Sequence, residues 1–459
     1  MPLLRVVSNL TFHNAGLSGT AVTLTPIATP ETFDVVQRKI MKRFFTQNDY
    51  RSVIYLALVM MTALPAWSQT VGEALPDWSD GMLDIHHINT GKGDSTFFIL
   101  PDGTTMLVDA GVVNDEPPIT APAWPDSSRQ PGEWIARYIQ RFHPNGKSGV
   151  LNYAVLTHFH GDHIGEPNEG SKLAGNGHYK LSGITEVAEH VKIRKLIDRG
   201  WPEYDYPSAW IQGSALNYRA FVDWQIKNND MEIERFIPGR KDQIDLVIKP
   251  GDYPQFNLRN IASNGDLWTG SSDETRRIFP DLSTLPRNDW PDENMCSIVF
   301  NLSYGHFNYY TGGDLPGVAD TGVPQWHDVE TPVGKVVGPV DVHVVNHHGY
   351  PDVANSSFLE SLQPRVNIIS AWSPTHPGTR VMYRLLSERL YSGPRDIFIT
   401  NLLPETKTVL GSWMLKFKSE QGHIVVRVFP GGAKYNVIIL EDTSEEGIIK
   451  AIHGPYDAS

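Results

Sequence analysis

The chain has almost no cysteine: Cys296 is the single one among 459 residues. One thiol cannot close an intrachain disulfide, so a disulfide-stapled scaffold is excluded. That thiol stands in the apolar run "CSIVFNLSYG", the setting of an inert core group rather than a nucleophile. Long hydrophobic runs are missing too. The run from Val53 to Ala63 is about 11 residues, against the ~20 that a bilayer-spanning helix needs, so no stable membrane span is expected. Positive charge is scarce, with 39 Lys and Arg against 52 Asp and Glu. A broad groove for a nucleic-acid backbone needs clustered basic residues, so nucleic acid is an unlikely partner. A small anionic substrate held through a metal remains compatible. Gly-x-Ser-x-Gly does not occur either, which removes the sequence support for a serine nucleophile on a strand-to-helix elbow.

Near the N-terminus the stretch "MKRFFTQNDYRSVIYLALVMMTALPAWSQ" reads as a leader. Lys42, Arg43 and Arg51 form a basic region and Val53 to Ala63 an apolar one. Ala66-Trp67-Ser68 then offers small residues where a signal peptidase cuts. Residues 41–68 are therefore expected to be a signal peptide, with Met41 as the start and residues 1–40 an upstream extension. Such a leader implies a periplasmic or secreted protein.

Beyond the leader, short β-rich runs over Leu83–Ile88, Ser95–Leu100 and Thr105–Val108 are separated by "TGKGD" and "PDG", both turn signals. They predict a β-meander. In "PGEWIARYIQRFHP", Ile135, Tyr138, Ile139 and Phe142 fall at i, i+3, i+4 and i+7, which predicts an amphipathic helix. Residues 168–290 lose this rhythm and are rich in Trp, Tyr, Pro and Asp. They read as an insertion over the site, with a helix at "SALNYRAFVDWQIKNN" and strands at "DQIDLVIKP" and "QFNLRNIAS". A hairpin with His306 at its turn, a strand–helix alternation and a three-stranded antiparallel cap from Gly411 follow. Strands first, alternation later, and two similar halves suggest a two-sheet α/β sandwich.

The stretch "AVLTHFHGDHIGE" carries the chemistry. His158, His160, Asp162 and His163 form H-x-H-x-D-H. Residues two apart on an extended chain point to one side, so His158 and His160 can hold one ion. Gly161 permits the bend that turns Asp162 and His163 toward a second. Imidazole and carboxylate are the ligands that Zn²⁺ accepts, at roughly 2.0–2.2 Å.

With these residues in view the chain resembles the metallo-β-lactamase-fold hydrolases, over roughly Leu83 to Leu403. Within them it is most similar to the branch containing the hydrolase domain of bacterial DNA-uptake channels and a teichoic acid phosphorylcholine esterase. The likeness rests on "MLVDAG", "THFHGDH", "YYTGGD" and "NHHG", in that order. It implies an α/β fold, a four-layer αββα sandwich, with a hydrolase domain over residues 80–405 and a C-terminal β extension over 406–459. It also implies two divalent ions, Zn²⁺ or else Mn²⁺, held by His158, His160, Asp162, His163, Asp314 and His347. Asp314 bridges in that scheme, and His347 is the ligand in "HHG" while His348 faces substrate or packs. Asp162 and Asp109 are the catalytic carboxylates, Asp109 by orienting the metal loop.

His376 in "SPTHPG" matches a His-Pro near the pocket mouth in this branch, and Asp94 in "TGKGD" matches a Gly-x-Gly-Asp whose role is to brace the loop. One histidine of the usual pattern is missing. "WPDENMCSIVF" holds none, and Asn294 stands in its place. An amide oxygen is a weak Zn²⁺ ligand, which leaves metal identity open to Mn²⁺.

Ions sharing Asp314 would lower the pKa of water from 15.7 to about 7, giving hydroxide to attack phosphorus or a carbonyl carbon. The expected function is an exported metal-dependent hydrolase of a small phosphoester or phosphodiester. The alternatives are a lactone or amide hydrolase (β-lactams included), an iron oxidoreductase on this fold, and a catalytically silent metal-binding envelope protein. Trp201, Tyr204, Tyr206, Trp210 and Trp268 are candidates either for walling a substrate pocket or for packing.

Overall fold

A computed structural model describes residues 69–211, 213–318 and 322–459. The leader and the segment before it lie outside the described residues. The unit over Gln69–Ser459 forms one compact body.

The expected meander is present. Strands β1 (Leu83–His87), β2 (Thr96–Ile99) and β3 (Thr105–Val108) pair antiparallel, with Asp84 opposite Ile99 and Thr96 opposite Val108. The chain then runs through helix α1 (Pro131–Phe142) and β4 (Leu151–Val155), and through the single turn α2 (Gly161–Ile164). Proline at the start of α1 lacks the amide that a first turn leaves unpaired anyway, and the apolar face buries Ile135, Ile139 and Phe142.

Next come α3 (Ile184–His190), β5 (Ile193–Asp198), α4 (Ala215–Asn229), β6 (Glu232–Arg235), β7 (Phe256–Ser263), β8 (Asp266–Trp268) and β9 (Thr275–Arg277). The hairpin β10 (Val299–Tyr304) and β11 (Phe307–Thr311) leaves His306 exposed at its turn. Alternation follows: α5 (Glu330–Val337), β12 (Val342–Val344), α6 (Ser356–Leu362), β13 (Val366–Ile369), α7 (Thr379–Leu385), β14 (Asp396–Ile399) and α8 (Pro404–Leu410). Strands β15 (Phe417–Ser419), β16 (His423–Val428), β17 (Lys434–Leu440) and β18 (Ile449–Asp457) complete the chain.

Two nine-stranded sheets result, ordered β18-β17-β16-β1-β2-β3-β4-β5-β6 and β15-β14-β13-β12-β11-β10-β7-β8-β9. In each, an antiparallel half gives way to a parallel half, at β3 in the first sheet and at β11 in the second. Phe98, Val108, Phe300, Tyr309 and Val342 share the apolar layer between the sheets. Ile135, Ile139, Val187 and Phe221 cover the outer face of the first sheet, and Val333, Phe358 and Leu362 pack on the second. Helix, sheet, sheet, helix is the expected four-layer order.

Three expectations about segments need correction. Residues 168–290 are not a mere insertion, because β5 and β6 extend the first sheet and β7 to β9 the second. The C-terminal residues form no separate cap: β16 pairs with β1, Leu83 opposite Val428, while β15 runs parallel to β14 in the other sheet. Finally, "DQIDLVIKP" is not a strand. Its amides at Val247, Ile248 and Lys249 donate to Thr104 Oγ1 and Asp102 Oδ2 (2.8–2.9 Å), so side chains of a turn take the place of a neighbouring strand. Alternation alone cannot distinguish these two sources of acceptors.

Candidate metal centre

The predicted residues gather where the strands of both sheets end. Asp109 closes β3, the H-x-H-x-D-H loop follows β4, Asp314 follows β11, and His347 and His348 follow β12. Crevices at strand carboxyl ends are where parallel sheets leave room for ligands.

Backbone contacts shape the loop. Gly93 and Gly111 lie so close to Asp162 that a Cβ on Gly111 would stand 1.8 Å from its carbonyl oxygen, and one on Gly93 2.7 Å from it. The Asp94 amide donates to that same carbonyl at 2.8 Å. The "TGKGD" turn therefore braces the loop through its backbone. The Asp94 carboxyl is buried, burial pushes its pKa up, and the nearby His348 and His163 pull the other way.

A hydrogen-bond account of each imidazole shows where its lone pair points. His163 Nδ1 donates to Asp109 Oδ2 at 2.8 Å, leaving Nε2 bare. Asp109 also accepts from the Thr157 amide (2.8 Å) and hydroxyl (2.7 Å). That hydroxyl, its proton committed, lies 3.2 Å from His158 Nδ1 and accepts from it. His348 Nδ1 donates to the Ser370 carbonyl at 2.9 Å. His347 Nδ1 donates to Asp352 at 2.9 Å. In each case a fixed acceptor holds the proton on Nδ1 and turns Nε2 inward, the arrangement by which proteins orient metal-binding histidines.

These lone pairs converge on carboxylates. His163 Nε2 is 3.1 Å from Asp314 Oδ1, and His348 Nε2 is 3.6 Å from the same oxygen and 3.0 Å from Asp162 Oδ2. On the other side, His158 Nε2 and His347 Nε2 lie 3.6 and 3.8 Å from Asp314 Oδ2. His158 Nε2 also faces His160 Nδ1 at 3.1 Å. Asp314 Oδ1 is buried, and no hydrogen-bond donor among the described residues satisfies it.

Buried acceptors facing one another each cost roughly 1–3 kcal/mol unless something positive lies between them. A divalent cation held among them would turn such contacts into ligand bonds. Ligand atoms of Asp162, His163, Asp314 and His348 all lie within 4.8 Å of one another, and so do those of His158, His160 and Asp314. The donor set fits divalent metal binding. The surrounding carboxylates make the same demand for positive charge. Burial opposes a charged ring at His163, yet Asp314, Asp162 and Asp109 outweigh it and hold its pKa well above the ordinary imidazole range.

Within "HHG" the structure favours a different histidine for the second-ion position from the one expected. His348, not His347, joins Asp162, His163 and Asp314. Both residues adopt left-handed backbone, with φ of 46° and 52°, so the loop winds around Asp314 instead of running extended. The Tyr350 amide closes that turn on the His347 carbonyl, and Asn346 Nδ2 anchors it to Glu330 at 2.9 Å. His347 comes to lie on the His158–His160 side, beside Asn294, whose Nδ2 is 3.4 Å from His347 Nε2.

His376 stacks behind His348, with ring centroids 4.9 Å apart, and Trp372 stands edge-on to both. Of the aromatic candidates, Tyr204 is buried with its hydroxyl on Asp198 and Trp210 stacks on Phe159, so both pack. Tyr206 pairs with Arg277 and Trp268 donates to the Ser272 carbonyl. Cys296 is buried and its thiol is pushed up to about 12, which leaves it unreactive.

Asp352, Thr157 and Glu293 escaped the sequence reading. Each acts by holding a histidine or the backbone beside one, and only three-dimensional adjacency reveals such partners. Among the described residues, no helix is long and apolar enough to cross a membrane.

No protein-family model and no curated protein matches the chain. Solved structures show a distant likeness. A protein named as a metal-dependent hydrolase from Parabacteroides distasonis is 13% identical over 70% of this chain and 94% of its own, with a TM-score of 0.33. CmlA, a diiron beta-hydroxylase from Streptomyces venezuelae, is 10% identical over 77% of this chain and 55% of its own, with a TM-score of 0.36. Human tRNase Z, short form, is 11% identical over 62% and 91%, with a TM-score of 0.28. Likenesses this distant decide nothing about the reaction. Two paired sheets with helices on both outer faces and the H-x-H-x-D-H loop at the strand ends make the four-layer αββα sandwich that the sequence resemblance implies.

Proposed function

We propose that the chain is an exported metal-dependent hydrolase acting on a small phosphoester or phosphodiester, with two divalent ions, Zn²⁺ before Mn²⁺, one on each side of Asp314. The observation that carries this reading is the division of labour on Asp314. Its Oδ2 faces His158 and His347, and its Oδ1 faces His163 and His348. The first ion would be held by His158, His160, His347 and Asp314, and the second by Asp162, His163, His348 and Asp314. His347 thereby supplies the imidazole that the sequence lacks at Asn294.

Ions bound there would lower the pKa of water and polarise the oxygen of a phosphoryl or carbonyl group. The residues themselves divide into a wall and a mouth. His158, His163, His348 and Asp314 are buried, whereas His160 is exposed and Asp162 and His347 are partly so. Substrate therefore approaches over His160, between Asp162 and His347. Asp109 reaches no solvent and acts through His163, as an orienting group. Nothing in this arrangement requires a side-chain nucleophile, and Cys296 is unsuited to be one.

Purified full-length protein should carry two equivalents of metal by elemental analysis and hydrolyse bis-p-nitrophenyl phosphate. Turnover should vanish on chelation and in Asp162→Ala. Cleavage of lactones or lactams but not phosphodiesters would move the substrate class to carbonyl esters and amides. Stoichiometric metal without turnover on either panel would leave a silent metal-binding protein. Export rests on the basic and apolar leader over 41–68 and is tested by cell fractionation: retention in the cytoplasm refutes it.

A further inference from the structure

Phe159 stands between the two histidines His158 and His160, and its amide donates to Glu293 Oε1 at 2.8 Å. Arg199 grips that carboxylate, with Nε on Oε1 at 2.7 Å and Nη2 on Oε2. Arg199 is only 2% exposed. Its Nη1 donates to the Tyr206 carbonyl at 3.0 Å and to Asn264 Oδ1 at 3.1 Å, and Asn264 Nδ2 returns to the Arg199 carbonyl at 2.7 Å. The guanidinium carbon also lies 4.6 Å over the Phe159 ring, on which Trp210 stacks at 4.3 Å and 5°.

Glu293 is partly buried, and an ion pair withdrawn from water is a poor way to gain stability, because desolvating the charges costs about what their attraction returns. It is a good way to fix a geometry. We infer that Arg199 and Glu293 are positioning residues for the first ion, setting the spacing of His158 and His160 through the Phe159 amide. The torsions on either side of that amide determine whether His158 Nε2 and His160 Nδ1 converge at 3.1 Å. Glu293 also immediately precedes Asn294, the neighbour of His347, so the pair acts on the first-ion ligands from two directions. The second half of the loop has its own supports, Asp109 on His163 and the Asp94 amide on the Asp162 carbonyl. The pair therefore acts on one ion and spares the other.

This inference rests on the two-ion reading, and the test separates the two. Mn²⁺ binding to the full chain is measured by calorimetry in a His348→Ala background, which retains the first site, and in a His347→Ala background, which retains the second. Adding Glu293→Ala should weaken binding about 10–100-fold in the first background, as loss of a ligand's support does. It should change binding by no more than about twofold in the second, because Glu293 has no hydrogen bond in common with Asp162, His163 or His348. Glu293→Gln keeps an acceptor for the Phe159 amide and should restore most of the loss. Equal effects in both backgrounds, or no effect in the first, overturn the inference. If Glu293→Ala fails to fold, Arg199→Lys, which gives up the fork and the stacking, is read by the same criteria. A wild-type chain that takes up no Mn²⁺ or Zn²⁺ refutes the metal centre itself.

Discussion

His347 and His348 are consecutive, yet their Nε2 atoms face different oxygens of one carboxylate: His347 is 3.8 Å from Asp314 Oδ2 and His348 is 3.6 Å from Oδ1. One left-handed turn thus serves both halves of the centre. The separate effects of the two residues are the most direct test of that arrangement. His347→Ala should release one ion and His348→Ala a different one, each leaving about one equivalent bound, whereas Asp314→Ala should release both. Elemental analysis after gel filtration reads the outcome. Identical losses in the two histidine variants would show that both serve one site.

Asp352 holds His347 by its Nδ1 proton at 2.9 Å and would reach the proposed metal centre through that ring. Asp352→Ala should weaken one ion by about 10–100-fold while leaving the other in place. Asp352→Asn keeps an acceptor oxygen and should lose less. Competition with a chromophoric chelator measures both, and wild-type affinity in the alanine variant would remove His347 from the ligand set.

The candidate ligand types and most of the fold are legible in the sequence. Histidines two apart on a strand end and the period of Ile135, Tyr138, Ile139 and Phe142 are local patterns, whereas Asp314 is reached only through the family resemblance. What could not be read depended on geometry beyond the local chain. Adjacent residues such as His347 and His348 diverge in any conformation, so their order in sequence does not say which faces which ion. The turn that settles it is anchored by Glu330, 16 residues upstream of Asn346. The same limit hid the true partners of "DQIDLVIKP" and made the strands of residues 168–290 look like an insertion, since strand pairing across the sheets leaves no mark in the segment itself.

Gly111 is needed for space. A methyl group there would meet the Asp162 carbonyl oxygen at 1.8 Å and the Asp94 amide nitrogen at 2.8 Å, both backbone atoms that cannot swing aside. Gly111→Ala should therefore destabilise the fold by about 1–3 kcal/mol, the usual cost of overpacking. It should also displace Asp162 and weaken the second ion more than the first. Urea unfolding together with metal titration checks both parts. A variant with unchanged stability and unchanged metal affinity would mean that the loop does not pack as described.

His343, in β12 and completely buried, should make the fold sensitive to acid. Its Nδ1 pairs with Asn367 Oδ1 at 2.9 Å, and burial outweighs that bond and pushes its pKa down to about 4. Between about 4 and 6.5 the unfolded chain binds a proton that the folded chain refuses, so the contribution of His343 to stability is complete above 6.5 and is lost as pH falls through that window. Over about 2.5 pH units the loss amounts to roughly 3 kcal/mol. His343→Leu removes the titration while leaving the metal ligands in both proteins alike. Its stability should therefore gain on that of the parent by that amount between pH 7 and pH 4, whatever constant offset the lost bond to Asn367 introduces. Urea midpoints measured across the range supply the comparison, and curves that stay parallel would show that His343 takes up its proton as readily in the folded protein as in the unfolded one.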